Sequence, residues 1–130
     1  MSGPRVFRLI QPVDDIEIAV AFYERVLGHR GERIAVNRHY FPCGDVVLAC
    51  VEAPLDHREP RPRRDPRIVY LAVDDVDETF RLVRAAAPRW MDDAIETQFW
   101  GERSFYADDP FGNPLCFVQE DTRYVGGSAG

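Results

Sequence analysis

Val13-Asp14-Asp15-Ile16-Glu17 and, 60 residues later, Val73-Asp74-Asp75-Val76-Asp77 are near-copies, and each closes a short β-rich run and opens a helical pattern. From Asp15 to about Leu27, Ile16, Ala19, Val20, Tyr23 and Leu27 recur at helical spacing, and Gly28 follows as a stop. Asp14 and Glu17 stand at capping-box spacing. The second helix runs from Asp75 to about Ala87 with Val76, Thr79, Phe80, Val83 and Ala87 on its inner face. Asp75 and Glu78 repeat the capping pair, and Pro88 ends the helix. Two amphipathic helices in matching places predict an internal duplication.

The matches continue downstream. Arg38-His39-Tyr40-Phe41 corresponds to Arg103-Ser104-Phe105-Tyr106 at an offset of 65, and Gly44 to Glu52 corresponds to Gly112 to Glu120 at an offset of 68. The larger offset reflects a longer second turn, Asp108-Asp109-Pro110-Phe111-Gly112-Asn113, rich in turn-forming residues. Each half therefore reads strand, helix, then three strands. The predicted fold class is α+β, two tandem βαβββ modules in one domain over 1–130, with module one at about 5–53 and module two at about 67–121. Between them, 53–66 alternates four prolines and four arginines with acidic residues, a composition suited to an extended linker. Residues 122–130, ending in Gly-Gly-Ser-Ala-Gly, read as a flexible tail.

At 130 residues the chain is long enough to bury roughly two-thirds of its unfolded surface. A 45% hydrophobic share excludes a disordered chain. With no apolar run approaching about 18 residues and no signal-peptide pattern, a cytoplasmic protein without a membrane partner is expected. A net charge of -6 argues against nucleic acid, whose binding rests on neutralising phosphates. All 16 basic residues are Arg, so Schiff-base chemistry on a lysine is excluded. Cys43, Cys50 and Cys116 are odd in number and form no C-x-x-C, which argues against a disulfide framework.

Two strings carry a resemblance: Asp15-Ile16 through Ala21-Phe22-Tyr23 with Val26-Leu27-Gly28, and Trp100-Gly101-x-Arg103-x-Phe105 leading to Asp109-Pro110-Phe111-Gly112-Asn113. In this order the duplicated unit, from about Arg5 to Glu120, resembles the vicinal oxygen chelate superfamily. That group includes glyoxalases, extradiol dioxygenases, epimerases and the bleomycin and fosfomycin resistance proteins. The resemblance implies curled mixed sheets around a cleft, helices outside, and commonly a dimer. A curled sheet with an apolar edge also needs a partner, so a homodimer is expected. Alternation sends Leu115 and Phe117 one way and Cys116 and Val118 the other. With Cys43-Gly44 as a two-residue turn, Phe41 pairs with Val46 and His39 with Leu48, which puts His39 and Phe41 on the cleft face. By the repeat, Ser104 and Tyr106 join them.

The resemblance further implies that metal-dependent members take ligands, usually His and Glu, from the first and last strand of each module. Counting places those positions at Arg8, Ile68, Leu48 and Cys116. Arg repels a metal, Leu and Ile have no donor atom, and one Cys cannot hold an ion alone. Among their neighbours Phe7, Leu9, Arg67, Val69, Val47, Ala49, Leu115 and Phe117, none ligates, and His39 with Cys43 lacks a third donor. Neither metal nor cofactor is therefore expected, and the metal-assisted chemistries lose their Lewis acid. What remains resembles the antibiotic-binding branch, in which a dimer sequesters a small molecule and catalyses nothing. The expected ligand-binding residues are Arg8, His39, Phe41, Leu48, Ile68, Tyr70, Trp100, Tyr106 and Cys116. The aromatics, with Phe99, supply flat walls for stacking, while Arg8 favours a carboxylate or phosphate. The competing expectation is a glyoxalase- or dioxygenase-like enzyme, either with ligands placed elsewhere or polarising its substrate through Arg8 with Tyr106 or Cys116.

Overall fold

Residues 3, 5–52 and 67–124 are described by the computed structural model, so the expected linker at 53–66 and the tail residues 125–130 lie outside the described residues. The chain divides into two compact units, Met1–Arg63 and Arg64–Gly130. Each holds one βαβββ module, and the fold class is α+β.

Module one comprises β1 (Arg8–Val13), α1 (Ile16–Leu27), β2 (Glu32–Ala35), β3 (Arg38–Cys43) and β4 (Val46–Glu52). Its sheet has the order β1-β4-β3-β2, with β1 parallel to β4 and the other pairs antiparallel. A helix starts where its orphan N–H groups find acceptors. Here the Asp15 carboxylate accepts from the backbone N–H groups of Glu17 and Ile18 at 2.9 and 3.1 Å. The cap is thus Asp15 rather than the expected Asp14, because Asp15 is the extended residue (φ -148°) directly before the first turn. A third orphan, the Ile16 N–H, donates to Glu52 Oε1 at 2.9 Å and ties the helix start to the end of β4. Ile16, Ala19, Phe22, Tyr23 and Val26 are buried, the large apolar ones among them contributing roughly 1.5–3 kcal/mol each. Val20 and Leu27, expected on this stripe, flank it and are only half-buried. The helix ends at Gly28 in the left-handed region (φ +80°), where its N–H reaches the Glu24 carbonyl.

Module two comprises β5 (Val69–Val73), α2 (Val76–Ala85), β6 (Trp90–Met91), β7 (Glu96–Thr97), β8 (Arg103–Asp108) and β9 (Pro114–Gln119). The sheet order is β5-β9-β8-β6, with β7 also paired to β8. The strand between α2 and β8 is therefore split in two. Its interruption has a local cause: the Asp92 carboxylate accepts the Tyr106 N–H at 2.8 Å, taking a donor that a continuous strand would bind through a carbonyl. Helix α2 stops at Ala85, earlier than the expected Ala87, which itself adopts a left-handed φ of +60° before Pro88. Asp75 caps the helix through the Glu78 N–H, and Gln119 Oε1 accepts the Val76 N–H at 2.9 Å. Gln119 thus does in module two what Glu52 does in module one. Beneath the helix, Phe105 stacks on Phe117 with ring centres 5.0 Å apart, and Phe80 meets Phe105 edge-on at 5.0 Å.

Candidate ligand-binding site

In module one the observed register overturns part of the expected site. Cys43 pairs with Val46, so the two-residue turn is Gly44-Asp45, with Gly44 at φ +64°, a dihedral that glycine adopts without strain. Phe41 consequently pairs with Leu48 rather than Val46, and His39 with Cys50 rather than Leu48. The Phe41 ring lies 5.9 Å from Tyr23 of α1 and 5.8 Å from His29. His39, Phe41 and Leu48 therefore face the helix and belong to the core, not to an open face. His39 is 7% exposed, and both ring nitrogens are satisfied. Nε2 donates to the Arg30 carbonyl at 2.7 Å, and Nδ1 accepts from Arg33 Nε at 3.2 Å. This tautomer leaves no lone pair for a ligand.

The face of module one opposite the helix carries Arg8, which is exposed, together with Ile10, Tyr40 and Arg38. Ala49, with Val47 and Val51, is on this face of β4, and Leu48 is not.

In module two the expected register holds. Tyr70 pairs with Cys116 and Tyr106 pairs with Cys116 from the other side, so the three side chains share the face opposite α2, with Ser104 along it; Ile68 precedes β5 and is exposed. The Tyr70 and Tyr106 hydroxyls are 3.2 Å apart. That hydrogen bond first, and burial second, push the Tyr106 pKa up. Burial pushes the Cys116 thiol up to about 11, against hydrogen bonds from Tyr106 and Ser104 that pull it down. Both groups hold their protons at neutral pH.

Beside this cluster is a cavity of about 540 Å³ lined by Tyr70, Leu71, Ala72, Trp100, Glu102, Val118, Arg123 and Tyr124. Tyr70 and Trp100 were expected here; Glu102, Arg123 and Tyr124 were not. Glu102 is 7% exposed, and its oxygens accept from Trp100 Nε1 at 2.7 Å and from the Tyr124 N–H at 2.8 Å. It therefore fixes one aromatic wall by its side chain and the other by its backbone. The segment leading to Tyr124 is held by Thr122, whose hydroxyl accepts the Arg103 N–H at 3.1 Å and donates to the Gln119 carbonyl at 2.8 Å. Arg123 lies 3.5 Å from Glu120. Phe99, 97% exposed, packs edge-on against Trp100 at 4.6 Å. A signal for Glu102 was present in the sequence: alternation from Tyr106 through Ser104 puts it on the same face.

The positions where the resemblance implies metal ligands do not fit a metal ion. Arg8 is a cation, Ile68 and Ala49 offer no donor, and Cys116 is a single thiol that burial keeps protonated. Among the described residues, no three His, Cys, Asp or Glu side chains converge on a point that an ion would occupy. Among the described residues, no helix is long and apolar enough to cross a membrane.

Comparison with solved structures places this architecture among known folds. A glyoxalase-related enzyme from Fulvimarina pelagi superposes with a TM-score of 0.77 at 16% identity, over 94% of this chain and 92% of that one. A protein of unknown function from Agrobacterium tumefaciens gives a TM-score of 0.74 at 23% identity, over 92% and 96%. A bleomycin resistance determinant encoded on the transposon Tn5 gives 0.68 at 22% identity, over 91% and 99%. At these identities the likeness shows the fold. Among curated proteins none matches the sequence. The model of the Glyoxalase/Bleomycin resistance protein/Dioxygenase superfamily matches residues 5–117, nearly the whole of both modules, and the chain belongs to that superfamily.

Proposed function

We propose that the chain is a small-molecule-binding protein that holds a planar ligand in the module-two cavity through its own side chains, without a metal ion. The observation that carries this reading is the meeting of three aromatic rings, Tyr70, Trp100 and Tyr124, with the buried Glu102 carboxylate around one cavity. Its volume of about 540 Å³ falls within the roughly 300–1,000 Å³ typical of ligand pockets. Flat rings offer stacking surfaces, and the small Ala72 and Val118 leave room between them. Glu102 has two of about four lone-pair sites taken, so it favours a ligand that brings a cationic or N–H group.

Tyr106 and Cys116 keep their protons at neutral pH, so neither is poised as a base or a nucleophile, which supports capture over turnover. The likeness to the Tn5 bleomycin resistance determinant adds support for a drug or an aromatic metabolite as the molecule sequestered. A homodimer in the cytoplasm completes the proposal. Exposed Ile34 on the edge strand β2 and Val36 beside it support a partner surface, and thiols without disulfides among the described residues support a reducing compartment.

Titration with planar aromatic cations and their neutral analogues, followed by tryptophan fluorescence, tests the reading. Saturable quenching is expected in the native protein and in Trp90→Phe, and not in Trp100→Phe. No saturable signal from any such ligand, or a signal carried by Trp90, would overturn it.

A further inference from the structure

On the open face of module one, Arg8, Tyr40 and Arg38 form a second arrangement that the module-two cavity does not use. The Arg8 guanidinium carbon lies 5.1 Å from the centre of the Tyr40 ring and 5.0 Å from that of Phe7. The Arg38 guanidinium carbon lies 5.9 Å from the same Tyr40 ring, and its Nη1 donates to the Tyr40 hydroxyl at 2.6 Å. Both cations thus attach to one ring, at a spacing where the ring quadrupole attracts them. Their strand positions fix this. Arg8 is level with Val47, Tyr40 with Ala49 and Arg38 with Val51, so the tyrosine stands between the two arginines along the sheet.

Neither guanidinium has a carboxylate partner among the described residues. Glu32, opposite Tyr40 on β2, is on the same face and pairs with neither. Four other arginines of the described residues do meet acids: Arg33 meets Glu17, Arg81 meets Glu78, Arg103 meets Asp77 and Arg123 meets Glu120. What sets Arg8 and Arg38 apart is that, on β1 and β3 with β4 between them, two cations without an acid partner meet at one aromatic ring, in a chain with net charge -6. Long-range attraction of an anion is weak in such a chain, so recognition has to act at contact distance, inside a Debye length of roughly 8 Å. Stacking on the ring holds each planar fork and leaves N–H edges free for bidentate bonds to oxygen. Holding the forks in advance lowers the ordering cost of binding. Beside them, exposed Ile10 and half-buried Val47 offer an apolar footing.

We infer that Arg8 and Arg38, oriented by Tyr40, form an oxyanion-binding site that takes a carboxylate or phosphate carried on an apolar ring. At position 8, where the superfamily resemblance implies a metal ligand, a guanidinium supplies the positive charge instead. This site is independent of the module-two cavity and stands or falls without it.

Calorimetric titration with phenyl phosphate, benzoate, inorganic phosphate and benzylamine tests it. Phenyl phosphate and benzoate are expected to bind saturably, inorganic phosphate at least tenfold more weakly, and benzylamine not at this site. Arg8→Gln/Arg38→Gln should weaken phenyl phosphate at least tenfold with a nearly unchanged Tm, since Arg8 is exposed and half-buried Arg38 gives up one hydrogen bond, to the Tyr40 hydroxyl. The Arg8→Lys/Arg38→Lys variant keeps the charge but loses the fork and should fall in between. Arg25→Gln, which removes an exposed charge on α1, should bind like the native protein. Equal binding by the double Gln variant, equal loss in Arg25→Gln, or no binding of either ring-bearing anion by the native protein would each overturn the proposal.

Discussion

Replacing Asp109 with alanine is expected to lower stability by about 3 kcal/mol, since each hydrogen bond to a charged group contributes roughly 1.5–3 kcal/mol and the losses are not additive. Asp109 is fully buried at the start of the turn between β8 and β9. Its Oδ1 accepts the N–H groups of Phe111 and Asn113 at 2.8 and 2.9 Å, and its Oδ2 accepts Asn113 Nδ2 at 2.8 Å. The backbone closes the same loop, with Asp109 N–H donating to the Asn113 carbonyl at 2.9 Å. Alanine fits the space but strands all three donors inside the fold, where water does not replace the lost oxygen. Against a total stability of about 5–15 kcal/mol, a loss of this size is large. Thermal and urea unfolding should both report it, and Asp109→Asn, which keeps one acceptor oxygen, should lose less. A loss below about 1 kcal/mol would mean that the donors find other partners.

Changing Glu102 should act on ligand binding more than on folding. The Glu102→Gln variant keeps an acceptor oxygen for Trp100 or Tyr124 but removes the charge. For a planar cation in the cavity, affinity should fall at least tenfold, equivalent to about 1.4 kcal/mol, within the range of a charge-assisted hydrogen bond. A neutral ligand of the same shape should be nearly unaffected. Glu102→Ala adds a structural cost of roughly 1–2 kcal/mol, because the Trp100 and Tyr124 N–H groups both lose their acceptor. Equal losses for the cation and its neutral analogue in Glu102→Gln would show that the carboxylate positions the walls without meeting the ligand.

Much of the fold was legible because the duplication leaves two copies of one pattern. The Val-Asp-Asp strings lie where each first strand hands over to its helix, and the offset of 60 holds in the structure, with Ile10 and Tyr70 in equivalent strand positions opposite Ala49 and Cys116. The later strands obey a different count. Glu52 and Gln119 perform the same bond to the helix start, which sets the last-strand offset at 67 rather than the 68 obtained by matching Gly44 to Gly112. A side-chain period of two converts that single residue into a change of face. Hence Leu48, and His39 and Phe41 that share its face, move to the core, while Tyr70, Tyr106 and Cys116 lie on the open face. The dipeptide Gly44-Asp45 carried the signal for the observed pairing, as glycine suits the first central position of a hairpin turn, but that change moves each partner by two residues and leaves the faces as they were.

The cavity was less legible. Trp100 and Tyr70 stand out as aromatics, but Glu102 sits between Gly101 and Arg103 in no motif of its own. Tyr124 belongs to a segment whose composition reads as tail, and only its backbone bond to Glu102 and the Thr122 bonds bring it back onto the sheet. Such tertiary returns leave no periodicity to read.

Recognition by aromatic and charged side chains, in place of a bound ion, is what the donor chemistry of both open faces supports. Native mass spectrometry of protein purified without chelator, with and without a ligand that quenches Trp100, tests it most directly. The expected result is the mass of two chains of 14.9 kDa each, with ligand adducts and no divalent ion at any stage. One divalent ion per chain, required for the adduct to form and removed together with it by a chelator, would contradict the account.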